Sequence, residues 1–271
     1  MADSTAKAIF ISGGASGIGR AIALHFARHG WFTGLADINE KGMAETAELL
    51  PRNMSSSHLL DVRKPDQWRT ALEEFSLAAG GRVDVVSNNA GIPAGGMLVD
   101  LTEEEIDQVL DINLRGVING ARAAYPHLRK TAPGSCLLNT CSAAGLYGTA
   151  GMSTYCASKF GVRAVTESLD TEWLRDGIKV RSIMPSFIDT PLLQQTSHHA
   201  DNMPLRERVM AAGLEFTPVE TVAQAAWDAV HGRRLHVLVG KTARQLAFAA
   251  KWSPAKLRKR ARALTEVGKP S

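Results

Sequence analysis

Ser12-Gly13-Gly14-Ala15-Ser16-Gly17-Ile18-Gly19 stands directly after the apolar run Lys7-Ala8-Ile9-Phe10-Ile11 and directly before a stretch in which Ala21, Ile22, Leu24 and Phe26 recur at helical spacing. A strand, a glycine-rich turn and a helix in that order open a βαβ unit. Glycines in such a turn let the backbone approach a pyrophosphate, and the unpaired N–H groups of the following helix meet its charge. Gly13, Ser16, Gly17, Ile18 and Gly19 are therefore candidate cofactor-binding positions.

The alternation continues along the chain. Gly30 stops the first helix, and Trp31 to Ala36 reads as a second strand ending at Asp37. Leu59-Leu60-Asp61-Val62 has the form of a third strand end, and Val83-Asp84-Val85-Val86 of a fourth that runs into Ser87-Asn88-Asn89-Ala90-Gly91. Thr102 with Glu105 forms a capping box, followed by Ile106, Val109, Leu110, Asn113, Leu114 and Val117 at helical spacing. Cys136 to Asn139 reads as a buried strand, 153–175 as a helix, Ile178 to Ile183 as a strand ending at Pro185, and Leu235 to Val239 as the last strand. Short strands alternating with longer helices predict an α/β fold: a Rossmann-type doubly wound parallel sheet of about seven strands flanked by helices. With no linker or repeat, 1–271 is expected to be a single dinucleotide-binding and catalytic domain. The polar, irregular segment 191–216 breaks the rhythm and is expected to be a substrate lid.

Composition narrows the class. The 271 residues are 45% hydrophobic and 21% charged, ordinary globular usage that can bury a large core. No apolar run approaches the length of a membrane span, and the N-terminus lacks the form of a secretory signal. Three cysteines (Cys136, Cys141, Cys156) without a CxxC suggest neither a disulfide framework nor a zinc ribbon, and a reducing cytoplasm is the expected setting. His198-His199 has no partner at ligand spacing, so no metal is expected. The net charge of +4 is uneven: 241–271 holds nine Lys/Arg against Glu266 alone, a local +8, which leaves −4 on residues 1–240. Nucleic acid is not an expected partner of such a body. In the basic segment Leu246, Phe248, Ala249 and Trp252 form an apolar helical face. It is expected to pack on the protein itself or on a neighbouring subunit, with weak contact to an anionic membrane surface as the alternative.

Asp37 lies 18 residues past Gly19 at the end of the second strand. A carboxylate there accepts hydrogen bonds from both adenosine ribose hydroxyls and repels a 2′-phosphate. Neither Ser16 nor Ile38 is a cation that could neutralise that phosphate, so NAD is favoured over NADP as the cofactor.

Tyr155-Cys156-Ala157-Ser158-Lys159 sets a phenol and an ammonium four residues apart on one helical face, with Ser142 13 residues earlier and Asn113 in the preceding helix. Together with Ser12-to-Gly19, Asp61-Val62, Asn88-Asn89-Ala90-Gly91 and Pro185, this ordered set resembles the short-chain dehydrogenase/reductase family, in its shorter single-domain branch, over roughly residues 7–240. The resemblance implies that Tyr155 is the general acid/base, that Lys159 together with the oxidised nicotinamide lowers its pKa, and that Lys159 also binds the nicotinamide ribose. It implies further that Ser142 holds the substrate oxygen and that Asn113 completes a water-linked proton path. It assigns Asp61 and Val62 to the adenine, and Asn88, Asn89, Ala90 and Gly91 to the sheet and the adenosine ribose. Pro185, Ile188 and Thr190 are assigned to the nicotinamide side. Ser186 stands where the family usually has Gly, which would narrow the site.

The implied reaction is hydride transfer between NAD and a secondary alcohol or ketone. Pro93 to Met97, Leu146-Tyr147-Gly148, Met152, Leu192, Leu193, Met203 and Phe216 suggest an apolar substrate. Homotetramers or homodimers are implied, joined through 102–130 and 153–175, with Val165, Leu169 and Trp173 as candidate contacts. The alternatives are an NADH-sensing regulatory protein without turnover and an NADPH-dependent carbonyl reductase.

Overall fold

A computed structural model describes residues 6–188, 207 and 216–266. Seven parallel strands form one sheet in the order β3-β2-β1-β4-β5-β6-β7: β1 Ala8–Ser12, β2 Phe32–Asp37, β3 Ser55–Leu59, β4 Val85–Asn88, β5 Cys136–Thr140, β6 Lys179–Pro185 and β7 His236–Val239. The expected doubly wound parallel sheet is therefore present. Its helices are α1 Gly17–Arg28, α2 Glu40–Glu48, α3 Pro65–Ala78, α4 Glu103–Leu110, α5 Gly116–Lys130, α6 Ser153–Glu172, α7 Val219–His231, α8 Lys241–Trp252 and α9 Pro254–Glu266.

The period of two along β1 builds two cores. Ile9 and Ile11 face α1 and α7 with Ile22, Phe26 and Val222, whereas Ala8 and Phe10 face α3 and α5 with Trp68, Phe75 and Leu128. Gly34 on β2 is required by this packing, since a Cβ there would lie 2.5 Å from the Phe75 ring. Chain growth reverses between β1 and β4, and a doubly wound sheet opens its ligand crevice at that switch point, outside the carboxyl ends of the strands.

Three boundaries depart from the sequence reading. β3 ends at Leu59, not at Val62, because the Asp61 carboxylate accepts from the Arg63 N–H at 3.0 Å and turns the chain away. The helix beginning at Ser153 stops at Glu172, and a short 3-10 turn, Leu174–Asp176, closes on Gly177 at φ 71°. The helix from the Thr102 capping box is not continuous either: a π-helical turn, Asp111–Arg115, separates α4 from α5 and carries Asn113.

Candidate active site

Every described candidate sits at the carboxyl end of a strand or on the helix facing it. The turn after β1 is closed by Gly13 and Gly14, whose N–H groups both donate to the Ala36 carbonyl. Gly13 has φ 72°, and a Cβ there would lie 2.9 Å from Ala90 Cα. At Gly19 a Cβ would fall 2.0 Å from the Gly13 carbonyl oxygen. Ser16 caps α1 in an extended conformation without a side-chain cap bond, which leaves the first-turn N–H groups for an outside acceptor. This glycine cradle with an uncapped helix start fits a pyrophosphate.

The Ser12 hydroxyl donates to the Ser87 carbonyl and accepts from the N–H groups of Asn89 and Ala90, locking the turn to the end of β4. Asp37 ends β2 as expected. Its carboxylate accepts from Ala15 N at 3.2 Å and from Asn39 N at 3.0 Å, so the backbone aims it across the turn. Arg20, the cation in the first turn of α1, is engaged with Thr46, Glu45 and the Ala15 and Gly42 carbonyls. The Asp61 carboxylate is gripped by the Arg63 guanidinium at 2.7 Å, a bond that holds its carboxyl below the ordinary range. The Val62 side chain, by contrast, is buried in the core toward Gly116, and its carbonyl accepts from Trp68 Nε1 and Asn119 Nδ2, so its backbone N–H is the part left to border an adenine.

Lys159 is fully enclosed, and its Nζ donates to the Thr140 carbonyl at 3.0 Å. Gly91 lies beside it: a Cβ there would be in ordinary contact with Nζ at 3.7 Å and tight against Asn113 Oδ1 at 3.1 Å. Lys159 Nζ stands 5.7 Å from the centre of the Tyr155 ring, one helical turn before it. Burial pushes the Tyr155 phenol up to about 12, opposed by a hydrogen bond with Ser142, and desolvation pushes the Lys159 ammonium down. Desolvation dominates at the ring, and the ammonium is engaged with the Thr140 carbonyl. The Ser142 hydroxyl accepts from Ala144 N at 3.1 Å and faces the Pro185 carbonyl at 3.5 Å.

Asn113 is buried beside this group, but its amide is spent on one neighbour: Oδ1 accepts from Ile92 N at 2.8 Å and Nδ2 donates to Ile92 O at 2.9 Å. These two bonds pin the 91–92 backbone. Ser186 does not narrow the site. Its hydroxyl turns to the end of β7, toward the Val239 carbonyl, and would sit 2.8 Å from a Cβ at Gly240. Ile188 packs into the core beside its bridge to Thr217, so its side chain faces the body and not the crevice. Thr190 and all of the expected lid except Glu207 and Phe216 lie outside the described residues, as do His198 and His199. The walls 93–97 and 146–152 face one another through the bond from Gly96 N to Gly151 O.

Sequence reasoning passed over two residues that the structure ties to Lys159. Cys141 Sγ donates to the Lys159 main-chain carbonyl at 3.2 Å, and Thr140 supplies the carbonyl for Nζ. Their position immediately before Ser142 was the available signal.

Comparison with known proteins agrees with this geometry. A profile of short chain dehydrogenases matches residues 7–201. A 3-oxoacyl-(acyl-carrier-protein) reductase of Thermotoga maritima is 36% identical over 72% of this chain and 79% of its own. Cyclopentanol dehydrogenase of a Comamonas species is 35% identical over 70% of this chain and 76% of its own. Among solved structures, a short chain dehydrogenase/reductase from Burkholderia phymatum in complex with NAD superposes with a TM-score of 0.80 at 26% identity, over 98% of this chain and 97% of that one. These names are those of oxidoreductases and lend no support to a sensor without turnover.

Proposed function

The chain belongs to the short-chain dehydrogenase/reductase family, and from that membership we propose that it is an NAD-dependent oxidoreductase acting on an apolar secondary alcohol or ketone, with residues 1–271 as one catalytic unit. The observation that carries the reading is the Tyr155–Lys159 pair on α6, buried against the end of β5 beside the glycine cradle.

The family binds a nicotinamide dinucleotide, which supplies a hydride acceptor or donor when bound. Gly13, Ser16, Gly17, Ile18 and Gly19 would hold its pyrophosphate and Asp37 its adenosine ribose. Asp61, Val62, Asn89, Ala90 and Gly91 would border the adenosine half, and Pro185, Ile188 and Thr190 the nicotinamide half. Val62 and Ile188 would serve through their backbones. What favours NAD is the Asp37 carboxylate at the end of β2, with the Arg20 cation nearby already engaged.

Tyr155 Oη would hold the proton at the substrate oxygen, giving it in reduction and taking it in oxidation. Ser142 would donate to the same oxygen and keep it within reach of the phenol. Lys159, braced by Thr140, would bring positive charge beside a phenolate and so favour ionisation when the site is charged and closed. Asn113 would fix the 91–92 backbone against which Lys159 rests. The half-buried Leu146, Tyr147 and Met152 and the exposed Met97 supply the apolar walls.

Assembly into a homodimer or homotetramer belongs to the same reading. An open groove of about 740 Å3 runs between α5 and α6, lined by Ile118, Ala121, Tyr125, Val165 and Leu169. Trp173 lines the floor of the same groove, with most of its side chain buried in its own subunit's core.

The test is a fluorescence titration of the protein with NADH and, separately, NADPH, followed by turnover of apolar secondary alcohols. Tight NADH with weak NADPH is the expected result. A preference for NADPH would move the reading to carbonyl reduction with that cofactor, and binding of neither would remove it.

A further inference from the structure

The exposed face of α8 carries a pattern that dinucleotide chemistry does not use. Lys241, Arg244, Gln245, Phe248, Lys251 and Trp252 follow one another at i, i+3, i+4, i+7, i+10 and i+11, and all six are exposed. Such spacing puts them on a single stripe of the helix. The opposite side, led by the fully buried Ala243, packs against β7 and the 143–145 turn. Phe248 and Trp252 are each 66% exposed, which is unusual for side chains of that size, and the Lys251 ammonium lies 4.9 Å from the centre of the Trp252 ring.

α9 extends the feature. Lys256, Arg258, Lys259 and Arg262 are exposed, while Leu257 and Ala261, four residues apart, are half-buried. No acidic residue occurs between Lys241 and Glu266. Lys241, Arg244, Lys251, Lys256, Arg258 and Lys259 have no carboxylate partner among the described residues. Evolved surfaces normally intersperse both signs, and a single-signed surface with large exposed aromatics asks for an anionic partner that is also apolar.

We propose that the exposed face of α8, continued by α9, docks on a membrane surface rich in anionic phospholipid, with Phe248 and Trp252 entering the headgroup boundary and the flanking cations meeting the phosphates. A lipid surface fits better than nucleic acid because the aromatics stand on the convex side of a helix. Exposed in that way, they can sink into an interface. Cations together with apolar anchors make the two-signal arrangement that reversible peripheral binding requires. The buried side of the same helix rests on the 143–145 turn, which directly follows Ser142, so α8 links the docked face to the end of β5.

The test is flotation of the full-length protein with vesicles of equal parts phosphatidylglycerol and phosphatidylcholine, and with vesicles of phosphatidylcholine alone. Binding to the first, loss of it with the second, and release by salt are expected. The Phe248→Ser/Trp252→Ser double variant should bind at least about tenfold more weakly with an unchanged oligomeric state by light scattering. Should that variant fold poorly, Trp252→Phe gives an independent reading: acyl-brominated lipids should quench the parent's tryptophan emission and lose that effect in the variant. Absence of vesicle binding would overturn the proposal. Equal binding to duplex DNA that ignores the aromatic substitutions would replace it with a general polyanion site. A change of oligomeric state in the double variant would make the face a subunit interface.

Discussion

The Lys159 ammonium donates to the main-chain carbonyl of Thr140, while the carbonyl of Lys159 itself accepts from the thiol of the next residue, Cys141. Two consecutive residues at the end of β5 thus hold both ends of the lysine, and Ser142 comes immediately after them. The chain of bonds runs on: the Thr140 hydroxyl donates to Asn89 Oδ1, and Asn89 Nδ2 donates to the Ser12 carbonyl at the start of the glycine turn. The cradle for phosphate and the Tyr155–Lys159 pair are joined by side chains from three strand ends.

Cys141 should therefore matter through geometry and not through thiol reactivity. It is buried, and burial pushes its thiol up from the ordinary range, which makes it a poor nucleophile. Cys141→Ser keeps a donor near Lys159 and should retain turnover within about twofold, whereas Cys141→Ala loses the bond, worth about 1 kcal/mol, and should lower kcat about fivefold. Steady-state kinetics of the two variants checks this. Equal turnover in both would release Cys141 from the role.

Tyr155 sets the pH behaviour. With its phenol pushed up to about 12 by burial, it is protonated throughout the neutral range. As a proton donor it is ready, so ketone reduction should be flat across neutral pH and fall only as the pH nears the phenol's own value. As a base it must first ionise, so alcohol oxidation should climb through the alkaline range. Tyr155→Phe should cost about a thousandfold in both directions with NADH binding within about threefold. Substantial turnover in that variant would take the acid/base role from Tyr155.

Asp37 offers a test that separates charge from scaffolding. Its carboxylate both repels a 2′-phosphate and accepts the Ala15 and Asn39 N–H bonds. Asp37→Asn keeps the acceptor and removes the charge, so NADPH binding should tighten about tenfold with little change in melting temperature. Asp37→Ala should lose NADH affinity as well, because the turn loosens. An unchanged NADH-to-NADPH ratio in both variants would dismiss the ribose assignment.

Much of this was legible in the sequence because backbone rules wrote it there. The strand–turn–helix around Gly13–Gly19 and the period-two run Ala8–Ile11 gave the fold and one end of the site, since few other structures accommodate those glycines. The Tyr155-to-Lys159 spacing was legible because four residues complete about one helical turn. Side-chain direction was not legible. Val62, Ile188 and Ser186 lie at the expected places in the chain, but each side chain turns away from the crevice, the first two into the core and Ser186 toward β7. The π-turn at Asp111–Arg115 was equally hidden, for it keeps helical spacing while spending the Asn113 amide on Ile92.

Histidines should govern stability in mild acid. His25, His58, His127 and His236 are all lowered from 6.5, in each case chiefly by burial. Two have a buried ring nitrogen with no partner, His25 Nε2 and His127 Nδ1, as befits neutral imidazoles. A histidine whose folded pKa lies below its unfolded value takes up protons preferentially in the unfolded chain. Its contribution is therefore complete above 6.5 and drains away as the pH falls from 6.5 toward the folded value. The carboxylates of Asp61 and Glu167, also lowered, act in a separate window below their ordinary values of 3.8 and 4.5. The melting temperature should thus fall by at least about 4 °C between about pH 7 and pH 5.5, before any carboxylate titrates. His58, buried beneath Ser56 and Glu74, is the clearest contributor, and His58→Gln should flatten that slope while lowering stability at neutral pH. Thermal melts of both proteins across this range decide the matter, and an identical slope would show that His58 is protonated equally in the folded and unfolded chains.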